Sequence, residues 1–228
     1  MNPETPQPAQ RGTGPTVLED DLQQRRRAVT ALGDELRALV DAAVGAEAPT
    51  ETLHLVADAA RRLTDQLVDP RRLRASVPAI DDFATGRRFY NPVSGKGNPL
   101  APPIRVETTA DTVTGHCTLS LAHEGPPGYA HGGMSAMLLD ELMGLVCLHN
   151  ARPSMTVALT TRYLRPVPLD TPLRAQARIT RTENRKTYVH GSIATETHPA
   201  QHLVEAEGVF VSPDLDHSRA LFPHLPLP

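Results

Sequence analysis

From Gly132 to Leu148 the chain carries only two charged side chains, Asp140 and Glu141, and no other stretch constrains the fold as much. One helical turn from Asp140 stand Ala136, Met137, Met143 and Gly144, all apolar or small, and residues three and four apart share a helix face. A helix that is apolar nearly all round belongs in an interior, so the rest of the fold has to wrap it. The run from Met134 to Leu148 is broken by its two acids and is too short to span a bilayer. A carboxylate on such a helix is costly unless it is paired or hydrogen-bonded, and burial raises its pKa. Two readings stay open at this point: an acid that only ties the helix to a loop or a neighbouring subunit, and a catalytic acid.

The material for wrapping lies on both sides. Ile104 to Leu121 reads as two extended segments around a turn at Ala110 and Asp111, and His131 to Asn150 reads as the helix. Four β-like runs follow. Met155 to Leu164 is rich in Thr, Val and Tyr. Leu173, Ala175, Ala177 and Ile179 alternate with polar residues, as do Thr187, Val189, Gly191 and Ile193, and Leu203 to Val211 closes the set. The turns at Pro166–Pro172, Glu183–Lys186 and Thr197–Gln201 are short enough for antiparallel neighbours, which predicts a four-strand meander. Two strands, one long helix and four strands make an α+β fold with a single helix for the sheet to wrap.

Upstream the texture changes. At about 150 residues per domain, 228 residues predict between one and two domains. Prolines number 22, roughly twice the usual share. Four of them (Pro3, Pro6, Pro8 and Pro15) fall in residues 1–16, read as a disordered leader. Residues 17–90 read as a helical extension and connector. Val29, Leu32, Leu36, Leu39 and Val40 recur at helical spacing, and Thr50 is expected to cap a second stripe of Leu53, Val56, Ala60, Leu63 and Leu67, ended by Pro70. With 23 basic and 26 acidic side chains the net charge is −3, which argues against a nucleic-acid backbone or an anionic membrane as the main partner. Cys117 and Cys147 form no metal-type or redox-type cluster. His198 and His202 read as solvated, so no metal is expected. No secretory signal is visible, and cytoplasm follows by elimination.

The start of the long helix is the second clue. His131-Gly132-Gly133 follows a proline-rich turn. Glycines let a ligand approach the backbone, and the first helical N–H groups lack intrahelical partners. With the helix dipole they suit an anion or a developing oxyanion; the plain alternative is an ordinary tight entry to a helix. Gly132 and Asp140 are about 12 Å apart along a helix at 1.5 Å per residue. An oxyanion donor and a carboxylate acting on one carbonyl must both lie within a few ångström of it. One copy of the helix therefore cannot supply both, whereas two antiparallel copies about a two-fold axis can. If both features are catalytic, the protein is at least a homodimer with equivalent sites at an isologous interface.

Gly125-Pro126-Pro127-Gly128-Tyr129-Ala130-His131-Gly132-Gly133 followed by Asp140 resembles the hotdog-fold acyl-CoA thioesterases, in their PaaI-like and THEM4-like branch. The likeness continues through Met155-Thr156-Val157-Ala158-Leu159, Tyr163 to Leu169 and Glu183 to Lys186, and spans about residues 91–213. Residues 214–228 are left as a C-terminal tail. The resemblance implies a long helix wrapped by an antiparallel sheet, paired into dimers or dimers of dimers, acting on an acyl- or aroyl-CoA without a cofactor. It implies Asp140 as general base or nucleophile and a Gly132 or Gly133 N–H as the carbonyl-polarising donor. His131 would orient the thioester or its loop, and Thr156 would hydrogen-bond the water or the carboxylate. Arg162, Arg165, Arg185 and Lys186 are the candidate cations for the CoA phosphates; at a turn such charges are equally well solvated surface. Two departures stand out: Gly125 lies where some branches carry an asparagine, and Glu141 competes with Asp140 from a direction about 100° away. A hotdog hydratase and a non-catalytic acyl-CoA-binding protein are the competing readings. The hydratase pairs an Asp with a His, which His131 and Asp140 are too far apart to do in one chain.

Overall fold

The computed structural model describes residues 17–221 except 70, 74–75, 83–85 and 110; the expected leader over 1–16 lies outside the described residues, as do 222–228. The chain order is α1 (Val17–Val44), α2 (Thr50–Gln66), β1 (Arg105–Thr108), β2 (Thr112–Thr118), a 3-10 turn (Leu121–His123), α3 (Gly132–His149), β3 (Met155–Tyr163), β4 (Pro172–Glu183), β5 (Lys186–Thr195), β6 (Val204–Val211) and α4 (Leu215–Leu221). Among the described residues no helix is long and apolar enough to cross a membrane.

The expected central helix is α3. Ser135, Leu138, Leu139, Leu142, Met143, Val146 and Cys147 are buried along one face, the three- and four-residue spacing of a helical stripe. The other face is not covered as the sequence suggests. Ala136, Met137, Asp140 and Gly144 are only half-buried and Gly133 is exposed, because the sheet of one chain wraps only part of a helix that is apolar nearly all round.

The six strands form one antiparallel sheet in the order β1-β2-β4-β5-β6-β3. Alternation selects the side chains that meet α3: Leu173, Ala175 and Ala177 from β4, Val189 and Ile193 from β5, and Val204, Ala206 and Phe210 from β6. Gly191 and Gly208 let the helix come close, since a Cβ on either would lie within 3 Å of the Met143 side chain. This is the hotdog arrangement, with one correction. β4, β5 and β6 form a meander, but β3 does not join it beside β4; it pairs with β6 at the far edge. The segment 164–171 is thus a crossover and not a hairpin turn. It passes the start of α3, where Ala130 N donates to Val167 O at 2.9 Å and Leu169 N to Gly128 O at 3.1 Å.

The N-terminal helices differ from expectation in two further ways. Thr50 is the first residue of α2 and not its cap; Pro49 holds the cap position and no side chain caps the helix. No residue of α2 is buried. α1 packs through Val29 onto Ile80 and Phe89, a second small core beside the main one. The segment read as a C-terminal tail opens with the short helix α4, whose Ser218 is buried.

Candidate active site

The approach to α3 is a hydrogen-bonded turn. Tyr129 N donates to Pro126 O, Gly125 N to Tyr129 O, and Gly128 N to the Glu124 carboxylate at 2.7 Å. Gly128 sits at φ 79°, a left-handed conformation open to glycine. His131 N then donates to His123 O at 2.9 Å. His123 caps its own 3-10 turn, accepting from Ser120 N at Nδ1 (3.1 Å). Burial holds its pKa below the ordinary 6.5, against the opposing pull of Asp41.

His131 is the N-cap of α3, and its Nδ1 accepts the Gly133 N–H at 3.0 Å. That bond needs an unprotonated Nδ1, so the neutral ring carries its proton on Nε2. It also separates the two glycines. Gly133 has its N–H occupied, whereas the Gly132 N–H, at the first helical position, makes no hydrogen bond among the described residues. Tyr163 lies over Gly132: its hydroxyl donates to Gly132 O at 3.1 Å, and a Cβ on Gly132 would stand 3.2 Å from its ring.

At the other end of the pair, Thr156 Oγ1 donates to Asp140 Oδ1 at 2.8 Å. No other hydrogen bond among the described residues reaches the Asp140 carboxylate, which is half-buried. A bulge in β3 makes this possible. Thr156 and Tyr163 are an odd number of residues apart and would point to opposite faces of a regular strand. Thr156 opposes Phe210 and Ala158 opposes Val209, so Val157 is an extra residue. The bulge brings Thr156, Leu159, Thr161 and Tyr163 onto the helix-facing side. Glu141 is placed otherwise. Its carboxylate accepts from Ser94 Oγ (2.5 Å) and Asn91 Nδ2 (3.1 Å), one bond on each oxygen. Of the adjacent acids, Asp140 is the one with an open oxygen.

The candidate cations do not come together in one chain. Arg162 lies opposite Glu205 and on the outer face of β3, and Arg165 donates to His202 O at 3.0 Å. Arg185 is paired with Asp214 at 2.7 Å, and Lys186 opposes Val211. The two pairs thus sit at opposite ends of β6, about 20 Å apart at the rise of a strand. His202 bonds Glu205 at 2.8 Å, and among the described residues no cluster of three or more metal-type ligands occurs. Both cysteines are buried and free; burial pushes the Cys117 thiol up to about 11 and raises that of Cys147. A cleft of about 670 Å³ between α1 and residues 77–80 and 97–99 is lined by none of the candidate site residues.

Tyr163, Asn91 and Ser94 are site neighbours without a role in the sequence reading. Asn91-Pro92 and Asn98-Pro99, with Gly95 and Gly97 between them, are turn signals that mark an ordered loop. They do not say what it touches.

A family model described as the thioesterase superfamily matches residues 127–199. The chain is 31% identical over 88 residues to acyl-coenzyme A thioesterase THEM4 of Xenopus laevis, a stretch covering 39% of each protein. It is 28% identical over 93 residues to acyl-coenzyme A thioesterase THEM5 of Homo sapiens, covering 41% of this chain and 37% of that one. The matches thus span about two fifths of these relatives' length. The crystal structure of RHA08564, a thioesterase superfamily protein, superposes with a TM-score of 0.72 at 33% identity, over 80% of this chain and 90% of that one. That superposition reaches well beyond the residues of the family model, and with the wrapped helix and antiparallel sheet it shows that the chain belongs to the thioesterase superfamily and has its hotdog fold.

Proposed function

We propose that this protein is an acyl-CoA thioesterase that works as a homodimer or a dimer of dimers in the cytoplasm. The observation that carries the reading is the half-buried Asp140 carboxylate, held through one oxygen by Thr156 and open at the other. The relatives named as acyl-coenzyme A thioesterases support the substrate class.

The second half of each site comes from the partner copy. Gly132 and Asp140 are about 12 Å apart along one α3, too far to act on one carbonyl. Two features of the single chain suit a two-fold pairing. β3 is an edge strand with Met155, Val157 and Tyr163 exposed, and unpaired edges are places where chains add. The Asp140 face of α3 carries the small or flexible residues Gly133, Ala136, Met137 and Gly144, short of full burial.

In the proposed reaction the thioester carbonyl lies between Asp140 of one protomer and the Gly132 N–H of its partner. Asp140 takes a proton from water as the water oxygen attacks the carbonyl carbon, or attacks that carbon itself. The carbonyl oxygen gains the negative charge and accepts from the Gly132 N–H, reinforced by the α3 dipole. Collapse expels the CoA thiolate. On the water route this yields the carboxylic acid directly, and Asp140 gives its proton back to the thiolate or to solvent. On the direct route a water hydrolyses the acyl–Asp140 anhydride to the acid and the free carboxylate. A thiol with pKa near 8.5 leaves without an acid to protonate it, so one carboxylate and one donor suffice. His131 occupies Gly133 and so leaves Gly132 as the donor, while Thr156 orients Asp140. Lys186 and Arg185 at one end of the sheet and Arg165 and Arg162 at the other approach one another across a two-fold axis, where they meet the CoA phosphates.

Thiol release from hexanoyl-, palmitoyl- and benzoyl-CoA tests the reading. Asp140→Asn keeps an acceptor for Thr156, so the fold is expected to survive while kcat falls by about a thousandfold, on the order of 4 kcal/mol of transition-state stabilisation. Full activity in that variant overturns the assignment, and binding of acyl-CoA without thiol release by the wild type would favour a non-catalytic acyl-CoA-binding protein.

A further inference from the structure

We infer that Glu141 is a positioning residue for Asp140 and that through it the N-terminal helix α1 helps to set the site. The inference rests on the thioesterase reading and adds a role that the superfamily model, which begins at residue 127, does not reach.

The connection is continuous from α1 to α3. Residues 91–98 form a strap between them. At its α3 end, Asn91 and Ser94 each donate a hydrogen bond to Glu141, and Val93 plugs into the main core. Asn91 has its Oδ1 committed as well, accepting from Val93 N at 2.7 Å and Ser94 N at 3.0 Å. The strap is knotted within: Gly95 N donates to Asn91 O, Gly97 N to Phe89 O, and Asn98 Nδ2 to Tyr90 O, all within 3.0 Å. At its α1 end, the Arg37 guanidinium donates to Asn98 O at 2.9 Å and Lys96 O at 3.0 Å. Gly33 lies so close to the strap that a Cβ there would be 2.2 Å from Lys96 O. Hydrogen bonds and close packing therefore tie helix, strap and carboxylate together.

Such a tie matters at this point of α3. Core packing fixes the opposite face of the helix, whereas the Asp140 face is only half-covered. Glu141 is the next residue, about 100° around the axis. Holding its carboxylate at both oxygens restrains rotation of the helix about its axis, and that rotation would carry Asp140 away from the carbonyl. A displacement of about 1 Å at a reacting group costs on the order of a hundredfold in rate. Each Glu141 oxygen accepts a bond from the strap, which assigns the carboxylate to orientation, and recovery in Glu141→Gln separates that role from proton transfer.

Steady-state kinetics referred to folded protein test this, with whichever of the three acyl-CoAs wild type turns over fastest. Glu141→Ala is expected to lower kcat about tenfold with KM within about twofold, a loss of orientation and not of substrate affinity. Glu141→Gln still accepts from Asn91 and meets the Ser94 hydroxyl, so it is expected to recover kcat to within about threefold. Arg37→Met, in α1, is expected to lower kcat about threefold with the same unchanged KM. Should Glu141→Ala fail to fold, Ser94→Ala removes one of the two ties and carries the test with the same signature. Wild-type kcat in Glu141→Ala, a Glu141→Gln variant no better than the alanine, or an unaffected Arg37→Met overturns the inference. Asp140→Asn run alongside separates the two accounts. If it is active the thioesterase site itself is wrong; if it is dead while Glu141→Ala is fully active, only the positioning role falls.

Discussion

α2 and α3 are almost equal in length, 17 and 18 residues, and opposite in their relation to the core. α2 has the clearer apolar stripe and buries no residue; α3 has apolar residues nearly all round and buries seven. The difference shows what helical periodicity does and does not report. A stripe says that one face prefers cover, and it is silent on whether the same chain provides a surface for it. A helix without a polar face needs cover on every side, so the sheet wraps it and a second surface is required for what remains. The proposed chemistry sits at that remaining face. In α2 the uncovered stripe includes Leu53, Val56 and Leu63, with Leu67 just past its end; in α3 the half-covered face holds Asp140.

The contrast can be broken by paired truncations. Leu142 is fully buried beneath the sheet, and Leu142→Ala is expected to cost about 3 kcal/mol in denaturant unfolding, transfer and cavity terms combined. A loss under about 1 kcal/mol would mean that α3 is not the packed centre. Next in size is Thr156→Val, which keeps the shape of the bulged strand but deletes the bond to Asp140. A drop of about tenfold in kcat, or 1.4 kcal/mol, is expected, with unfolding little changed; unchanged kcat would remove Thr156 from the site.

Acid sharpens the comparison at the loop that starts α3. His123 has a depressed pKa in the fold, so its neutral form is favoured there, and the unfolded chain binds the proton first as pH falls. Its contribution to stability is complete above about pH 6.5 and is lost as pH drops through the lowered value. Wild type should therefore lose more stability between pH 7.5 and 5 than His123→Asn, which still accepts from Ser120 N. Equal slopes would contradict the buried-neutral reading. The smallest effect belongs to α2: Leu63→Ala is expected to change stability by less than about 0.5 kcal/mol, as for an exposed position. A loss above 1.5 kcal/mol would reveal a surface that covers α2.

Much of this was legible in the residues. The extent of α3, the alternation of β4 and β5, the place of β6 in the chain, and the approach of Thr156 to Asp140 were all expected from pattern and resemblance. What escaped has a common physical cause, that contacts between distant segments leave no local mark. β3 reads as a meander strand because strand neighbours are not written in a strand's own residues, and it sits at the far edge instead. Tyr163 acquires its place over Gly132 only through the bulge at Val157. The choice between Asp140 and Glu141 depends on Asn91 and Ser94, 50 and 47 residues away. The two glycines at the start of α3 look equivalent in sequence, and the imidazole of His131 makes them different by occupying Gly133.

The central claim is that each site takes Asp140 from one chain and the Gly132 N–H from the other, and mixing two inactive variants tests it most directly. Gly132→Pro deletes that N–H at the first helical position, where proline fits, after a residue already in extended conformation (His131, ψ 134°). Gly132→Ala, which meets Tyr163 in the same way but keeps the N–H, is its active control. Asp140→Asn and Gly132→Pro are each expected to be inactive. Equal mixing with subunit exchange makes half of the dimers mixed, each with one intact site, so activity should return to about a quarter of wild type. Activity that stays at the level of the separate variants, with mixed dimers demonstrably formed, would contradict a site shared between two chains.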